Sequence, residues 1–244
     1  MKAIVTGTGG TVAPVLVESL RAAGHDVVAW DRQRVSTDDQ EAVAEFIRTA
    51  QPDWFFHLAT GSPVWAEWIA GLCAELDIRF LYTSSVSVYA STQHGPFTVT
   101  DKPVPTDEYG LYKRDCEQRV LAANPAAQVA RLGWQIGMGP GGNQMVDYLD
   151  RTFCEQGRIA ASIHWIQACS FLDDTVAGLI EIMASQRAGI YHVDGNPGLS
   201  FYEIVQGLNE LMGNAWVVVP DEAPRLNNRL LDSRIRVKPI TERF

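Results

Sequence analysis

The chain has 244 residues, 46% of them apolar and 20% charged, with a formal net charge of −9. That composition supports a packed core and excludes a disordered or fibrous chain. The balance of 29 Asp+Glu against 20 Lys+Arg speaks against nucleic acid or an anionic membrane as the main partner. No stretch approaches the ~20 apolar residues of a membrane helix. The start, MKAIVTGTGG, has no apolar signal core behind it, so a cytoplasmic protein is expected.

In chain order, residues 2–6 (KAIVT) read as a strand and 11–23 as a helix closed by Gly24. Residues 26–30 (DVVAW) are a second strand, and 38–50 a helix with Val43, Phe46 and Ile47 on one face. A third strand at 54–58 (WFFHL) leads to a helix at 64–76 and a fourth strand at 78–83. A helix at 107–122, a strand at 128–132 and a helix at 144–156 follow. Near-continuous apolar strands separated by helices predict an α/β fold with a doubly wound parallel sheet, the Rossmann arrangement.

Beyond residue 157 the pattern loosens. Helices are expected at 173–184 and 200–212, short strands at 189–193 and 216–219, then an Arg/Asn/Pro-rich tail. Residues 1–156 therefore read as a dinucleotide-binding domain, and 157–244 as a small substrate-side lobe interleaved with it. Cys73, Cys116, Cys154 and Cys169 lack CxxC spacing and are expected to be buried free thiols. The five histidines show no HxxxH or HExxH pattern, so no metal is expected. Trp54, Trp65 and Trp68 read as packing residues.

Between the first strand and helix lies Thr6-Gly7-Thr8-Gly9-Gly10-Thr11-Val12-Ala13. Gly7 and Gly10 permit a tight turn and close approach of the backbone to a pyrophosphate. The small Ala13 permits close helix–sheet packing, and the helix N-terminus offers free N–H groups. Asp31, 18 residues after Ala13, stands where an acidic residue meets the adenosine ribose of NAD. Its neighbour Arg32, with Arg34 nearby, suits the 2′-phosphate of NADP. The choice between NAD and NADP stays open, with a lean to NAD from Asp31.

The fourth strand runs into Thr83-Ser84-Ser85-Val86-Ser87-Val88-Tyr89, and Tyr109-Gly110-Leu111-Tyr112-Lys113 follows. On a helix Tyr109 and Lys113 share a face. An ammonium beside a phenol is expected to lower the tyrosine pKa, and a strand-end serine can orient a substrate oxygen. Tyr112 is a rival phenol, but Cys116 stands where its lysine would be.

With these motifs the chain resembles the extended short-chain dehydrogenase/reductases, and within them the dTDP-4-dehydrorhamnose reductases. TGTGGTVA, HLAT (residues 57–60), YTSSVSVY, YGLYK, VARLGWQIGMGPGGN (residues 129–143) and APRLNNRLLDS carry the likeness. The resemblance implies a carbonyl reductase or alcohol dehydrogenase acting on a sugar or nucleotide sugar. In it Tyr109 exchanges the proton, Lys113 holds the ribose and Ser85 fixes the carbonyl. Gly7, Gly10, Thr11, Val12, Leu58, Ala59, Thr60 and Thr83 would line the cofactor. Ser87, Trp134 and Arg225 would meet substrate, Arg225 as a diphosphate partner within the basic run Arg225/Arg229/Arg234/Arg236.

Two departures stand out. The stretch from Thr60 to the next helix is short and omits the family's usual loop and Asn-bearing helix start, which leaves the family homodimer open. Leu226 stands where the family has proline. Alternative readings are an NAD-dependent sugar epimerase or dehydratase on the same site, and a non-catalytic nucleotide-binding regulator.

Overall fold

The computed structural model describes residues 1–139, 142–185 and 187–244. Pro140 and Gly141, within the 129–143 motif, and Gln186 lie outside the described residues. Six parallel strands form the central sheet: β1 (Lys2–Thr6), β2 (Asp26–Ala29), β3 (Trp54–His57), β4 (Arg79–Ser85), β6 (Gln128–Leu132) and β11 (Gly189–Val193). Between them in sequence lie β5 (Phe97–Thr98), β7 (Trp134–Ile136), β8 (Ile159–Ser162), β9 (Trp165–Ile166) and β10 (Cys169–Phe171). The sheet order is β11-β6-β4-β3-β1-β2. Chain direction across the sheet therefore reverses between β1 and β3, and in such sheets ligands sit at the carboxyl ends of the strands at that switch point.

Alternating side chains give the sheet two apolar faces. Ile4, Phe55, Phe80, Tyr82 and Val129 pack under α2 (Gln40–Ala50), α3 (Pro63–Glu75) and α4 (Glu108–Ala123). Ala3, Val5, Phe56, Leu81 and Ala130 pack under α1 (Ala13–Ala22) and α6 (Leu172–Ser185). Helix starts follow local chemistry: Asp39 accepts from the Ala42 N–H, Ser62 from that of Val64, and Asp107 from that of Gly110. Gly24, at φ +80°, takes the left-handed position after α1.

A third core gathers α5 (Met145–Gln156), α7 (Phe201–Leu211), β7, β8 and β10 around Ile136, Leu149, Ile159, Phe171, Ile204 and Leu208. Short parallel pairs β10–β7, β9–β13 (Leu226–Asn227), β8–β12 (Val218–Asp221) and β5–β14 (Leu230–Leu231) stitch the C-terminal segment onto it. Residues 157–244 divide between layers: α6 and β11 belong to the central sheet, the rest to this lobe. Cys73, Cys116 and Cys169 are buried free thiols, whereas Cys154 is exposed on α5, a correction to the expected burial of all four.

Two buried polar knots tie these layers. Arg131 on β6 meets Glu117 on α4 through paired bonds of 2.9 and 2.7 Å and donates to the Tyr89 hydroxyl at 2.7 Å. Asp194, just past β11, accepts from the backbone N–H groups of Cys169, Asn196 and Leu230. It thereby joins the sheet to β10 and β14. Replacing Arg131 by Met strands the Glu117 carboxylate in the interior and is expected to cost about 3–5 kcal/mol in urea unfolding. Adding Glu117→Leu should recover most of that loss; a loss no larger than that of an exposed pair would contradict the knot.

Candidate active site

The glycine loop opens at the end of β1. Gly7 sits at φ +79°, and a Cβ there would lie 2.9 Å from the Ala59 nitrogen, so only glycine lets the loop pass this close to the end of β3. Thr6 fixes that approach. Its hydroxyl oxygen accepts from the Leu58 and Ala59 N–H groups at 3.0 and 3.1 Å, and its proton is left for His57 Nδ1 at 3.0 Å. His57 is accordingly neutral: burial first, then Lys113 and Arg32, bring its pKa to about 3.

Helix α1 begins without a side-chain cap and without an acidic residue in its first turn. Its first N–H groups face a cleft of about 420 Å³ lined on this side by Gly7, Gly10, Thr11, Val12 and Ala13. That combination suits a phosphate group. The turn after β7 closes over the loop, where the Asn143 N–H donates to the Thr11 hydroxyl at 2.9 Å.

Helix α4 supplies the opposite wall. Lys113 is 3% exposed, and its ammonium donates to the Thr83 carbonyl at 2.9 Å and the Tyr82 hydroxyl at 3.2 Å. Burial brings its pKa down to about 8, against the pull of Cys116 and Glu117. Its nitrogen lies 5.8 Å from the Tyr109 ring centre. Tyr109 is 47% exposed, and partial burial raises its pKa while its hydrogen bond with Ser85 pulls the other way. This corrects the expectation that Lys113 lowers the Tyr109 pKa: the ammonium is spent on Thr83 and Tyr82, and desolvation prevails. Ser85 accepts from the Ser87 N–H and donates to the Ser87 hydroxyl, both at 3.1 Å. Tyr112 is committed elsewhere, its hydroxyl accepting from the Gly61 N–H at 3.1 Å.

The cleft thus unites Gly7, Gly10, Thr11, Val12, Leu58, Thr60, Thr83, Ser85, Ser87, Tyr109, Lys113 and Trp134 of the expected residues. Ala59, Asp31, Arg32 and Arg225 do not line it. Ala59 is 3% exposed behind the Thr6 hydroxyl. Asp31 accepts from the Gln33 N–H at 2.9 Å and lies 3.9 Å from Arg34. Arg32 donates to the Thr60 carbonyl at the cleft edge and sits 5.5 Å over the Trp65 ring. None of Arg225, Arg229, Arg234 and Arg236 of the basic tail lines the cleft. Arg225 pairs with Glu222 at 2.6 Å, Arg229 donates to the Pro197 carbonyl, and Arg234 pairs with Asp232.

Sequence reading passed over Gln135, Gln167 and Asn143, which also line the cleft, and the role of Gly110. A Cβ on Gly110 would lie 2.1 Å from the Ser87 carbonyl oxygen. Glycine here is what lets α4 press onto the Ser85–Ser87 turn, and a glycine inside YxxxK was the available signal. Alanine is the better helix former by about 1 kcal/mol. Gly110→Ala should nonetheless destabilise by about 1–3 kcal/mol through the clash; thermal unfolding showing a gain would contradict the close approach.

Comparison with known proteins matches the RmlD substrate binding domain over residues 1–66 and 63–241. The two matched segments overlap at residues 63–66, in the first turn of α3. The chain is 28% identical over 215 residues to a dTDP-4-dehydrorhamnose reductase of Mycolicibacterium smegmatis, covering 81% of this chain and 64% of that relative. It therefore spans under two thirds of that relative's length. A Bacillus anthracis dTDP-4-dehydrorhamnose reductase in complex with NADP superposes with TM-score 0.82 at 18% identity, covering 96% of this chain and 91% of the other. A dTDP-glucose 4,6-dehydratase of the same organism in complex with NAD gives TM-score 0.77 at 15% identity, covering 96% and 88%. With a family match spanning nearly all its residues, the chain belongs to the RmlD substrate binding domain family, in the extended short-chain dehydrogenase/reductase class.

Proposed function

We propose that the protein is an NAD(P)-dependent reductase acting on the carbonyl of a sugar-type substrate. The observation that carries this reading is the convergence of Ser85, Tyr109 and Lys113 on one cleft whose other wall is the capless glycine loop. Gly7, Gly10, Thr11 and Val12 would hold the pyrophosphate, and Leu58, Thr60 and Thr83 would line the path to the nicotinamide. Arg32, a cation held at the cleft edge beside Thr60, would take a ribose 2′-phosphate. That shifts the balance toward NADP from the NAD that Asp31 favours, since the Asp31 carboxylate is engaged with Gln33 and Arg34.

When bound, the dinucleotide supplies the hydride. The protein's part is proton delivery and orientation. Ser85 donates a hydrogen bond to the substrate oxygen. The Tyr109 hydroxyl, whose raised pKa keeps it protonated at neutral pH, gives its proton to that oxygen as the carbonyl becomes an alcohol. The resulting phenolate regains a proton through the exposed side of Tyr109. Lys113, anchored on Thr83, presents its ammonium to the ribose hydroxyls.

With dTDP-4-dehydrorhamnose as probe substrate, Tyr109→Phe should lower turnover by about 10²–10⁴-fold with NADPH binding nearly unchanged. Tyr112→Phe should retain most activity; equal losses in both would contradict the assignment. Reduction should fall as pH rises through about 8, where Lys113 loses its charge, well before Tyr109 titrates. A pH–rate profile flat to pH 10 would contradict the role of the ammonium. Arg32→Ala should weaken NADPH binding by about tenfold or more while leaving NADH within a few-fold, as expected for loss of a charged phosphate contact.

A further inference from the structure

An ammonium carries three protons. Among the described residues that of Lys113 has two hydrogen-bond partners, the Thr83 carbonyl at 2.9 Å and the Tyr82 hydroxyl at 3.2 Å. Any residue at position 83 brings a carbonyl. The second acceptor exists only because a tyrosine stands at that point of β4. Tyr82 is fully buried in the core under α3 and α4, its ring 5.7 Å from that of His57 and 4.8 Å from the Lys113 nitrogen.

The Tyr82 hydroxyl has partners besides the lysine. It is hydrogen-bonded to the Cys116 thiol and the Tyr112 hydroxyl, which are bonded to each other. Tyr112 in turn accepts from the Gly61 N–H at 3.1 Å. Lys113 has the greater need: a buried ammonium on a flexible four-carbon stem keeps its charge and its direction only through its acceptors. The groups that face it are His57 on β3, Tyr82 on β4, and Tyr109, Tyr112, Cys116 and Glu117 on α4. Glu117 is paired with Arg131, His57 is neutral, and burial keeps the phenols and the thiol protonated. Lys113 is therefore the member of this cluster that titrates near neutral pH.

We propose that Tyr82 is a positioning residue for Lys113. With the Thr83 carbonyl it pins two ammonium protons and leaves the third for the cleft that Lys113 lines. Cys116 and Tyr112 hold the Tyr82 hydroxyl in place, and through Gly61 they connect the lysine to the short turn after β3. The proposal rests on the reductase reading, in which the third proton meets the ribose hydroxyls.

The test labels the full chain with carbon-13 at lysine Cε and follows Lys113, assigned by its absence in Lys113→Met, through a pH titration. The parent midpoint should lie at about 8. In Tyr82→Phe it should fall by about one pH unit, the size expected when a buried charge loses one hydrogen bond. NADPH affinity is then measured at pH 6, where the ammonium is charged in both proteins. There Tyr82→Phe should bind about three- to tenfold more weakly, because the released lysine must be ordered on binding. A tyrosine that served packing alone would leave the midpoint or the pH 6 affinity at the parent value, and either result would overturn the proposal. If Tyr82→Phe does not fold, the parent labelled with carbon-13 at tyrosine Cζ decides. A phenol signal that persists in Tyr109→Phe and in Tyr112→Phe should shift with the Lys113 midpoint, and the absence of one would overturn the proposal. Failure of the parent to bind NADPH or NADH would instead overturn the reductase reading, and the Lys113 midpoint would still decide the Tyr82 bond.

Discussion

Helix α4 is clamped to the sheet by two buried charged groups one turn apart, and the geometry of the cleft follows from that clamp. Lys113 reaches the end of β4 through Thr83, and Glu117 reaches β6 through Arg131. A buried ammonium and a buried carboxylate are costly unless paired, so each fixes the helix at a single rotation and depth. Tyr109, one turn before Lys113 on the same face, is thereby delivered to the cleft mouth. The Asp107 cap starts the helix just before it, and Gly110 lets the helix settle onto the Ser85–Ser87 turn. The same Arg131 also holds Tyr89, which stacks on Phe97 at 4.0 Å and so ties the β5 segment to the sheet.

The short connection after β3 is closed by a second set of contacts. Gly61 passes so near the Trp65 ring that a Cβ would lie 2.7 Å from it, and its N–H goes to Tyr112. The Arg32 guanidinium lies 5.5 Å from the centre of that ring and bonds the Thr60 carbonyl. Tyr112 is thus a structural phenol that seals the turn, while Tyr109, with no such commitment, faces the cleft. The rim of the nucleotide side is built from the same turn, so compaction of the chain and the position of Arg32 are one arrangement.

Much of this was legible in the sequence because it is local or periodic. The sheet strands, the helices, the glycine loop and the Tyr109–Lys113 spacing all depend on residues a few positions apart. The pKa direction of Tyr109 was not legible, since it depends on where the Lys113 ammonium is bound and how far the phenol is desolvated. Nor was the fate of Arg225: a basic run signals an anion site only if its partners are elsewhere, and Glu222 three residues away takes its charge. The pairs β7–β10, β8–β12, β9–β13 and β5–β14 are two to four residues long and join distant segments, too short for periodicity to show. Gln135 and Gln167 come to one cleft only when β7 and β10 pair.

On the proposed reading, the glycine loop and the α4 clamp form a single nicotinamide dinucleotide site. Calorimetric titration of the full chain with NADPH and NADH tests it most directly, with the Lys113→Met variant alongside. One dinucleotide per chain is expected, with NADPH bound more tightly than NADH and both bound more weakly once the ammonium is removed. Absence of binding by either dinucleotide at millimolar concentration, or affinities unchanged in Lys113→Met, would contradict it.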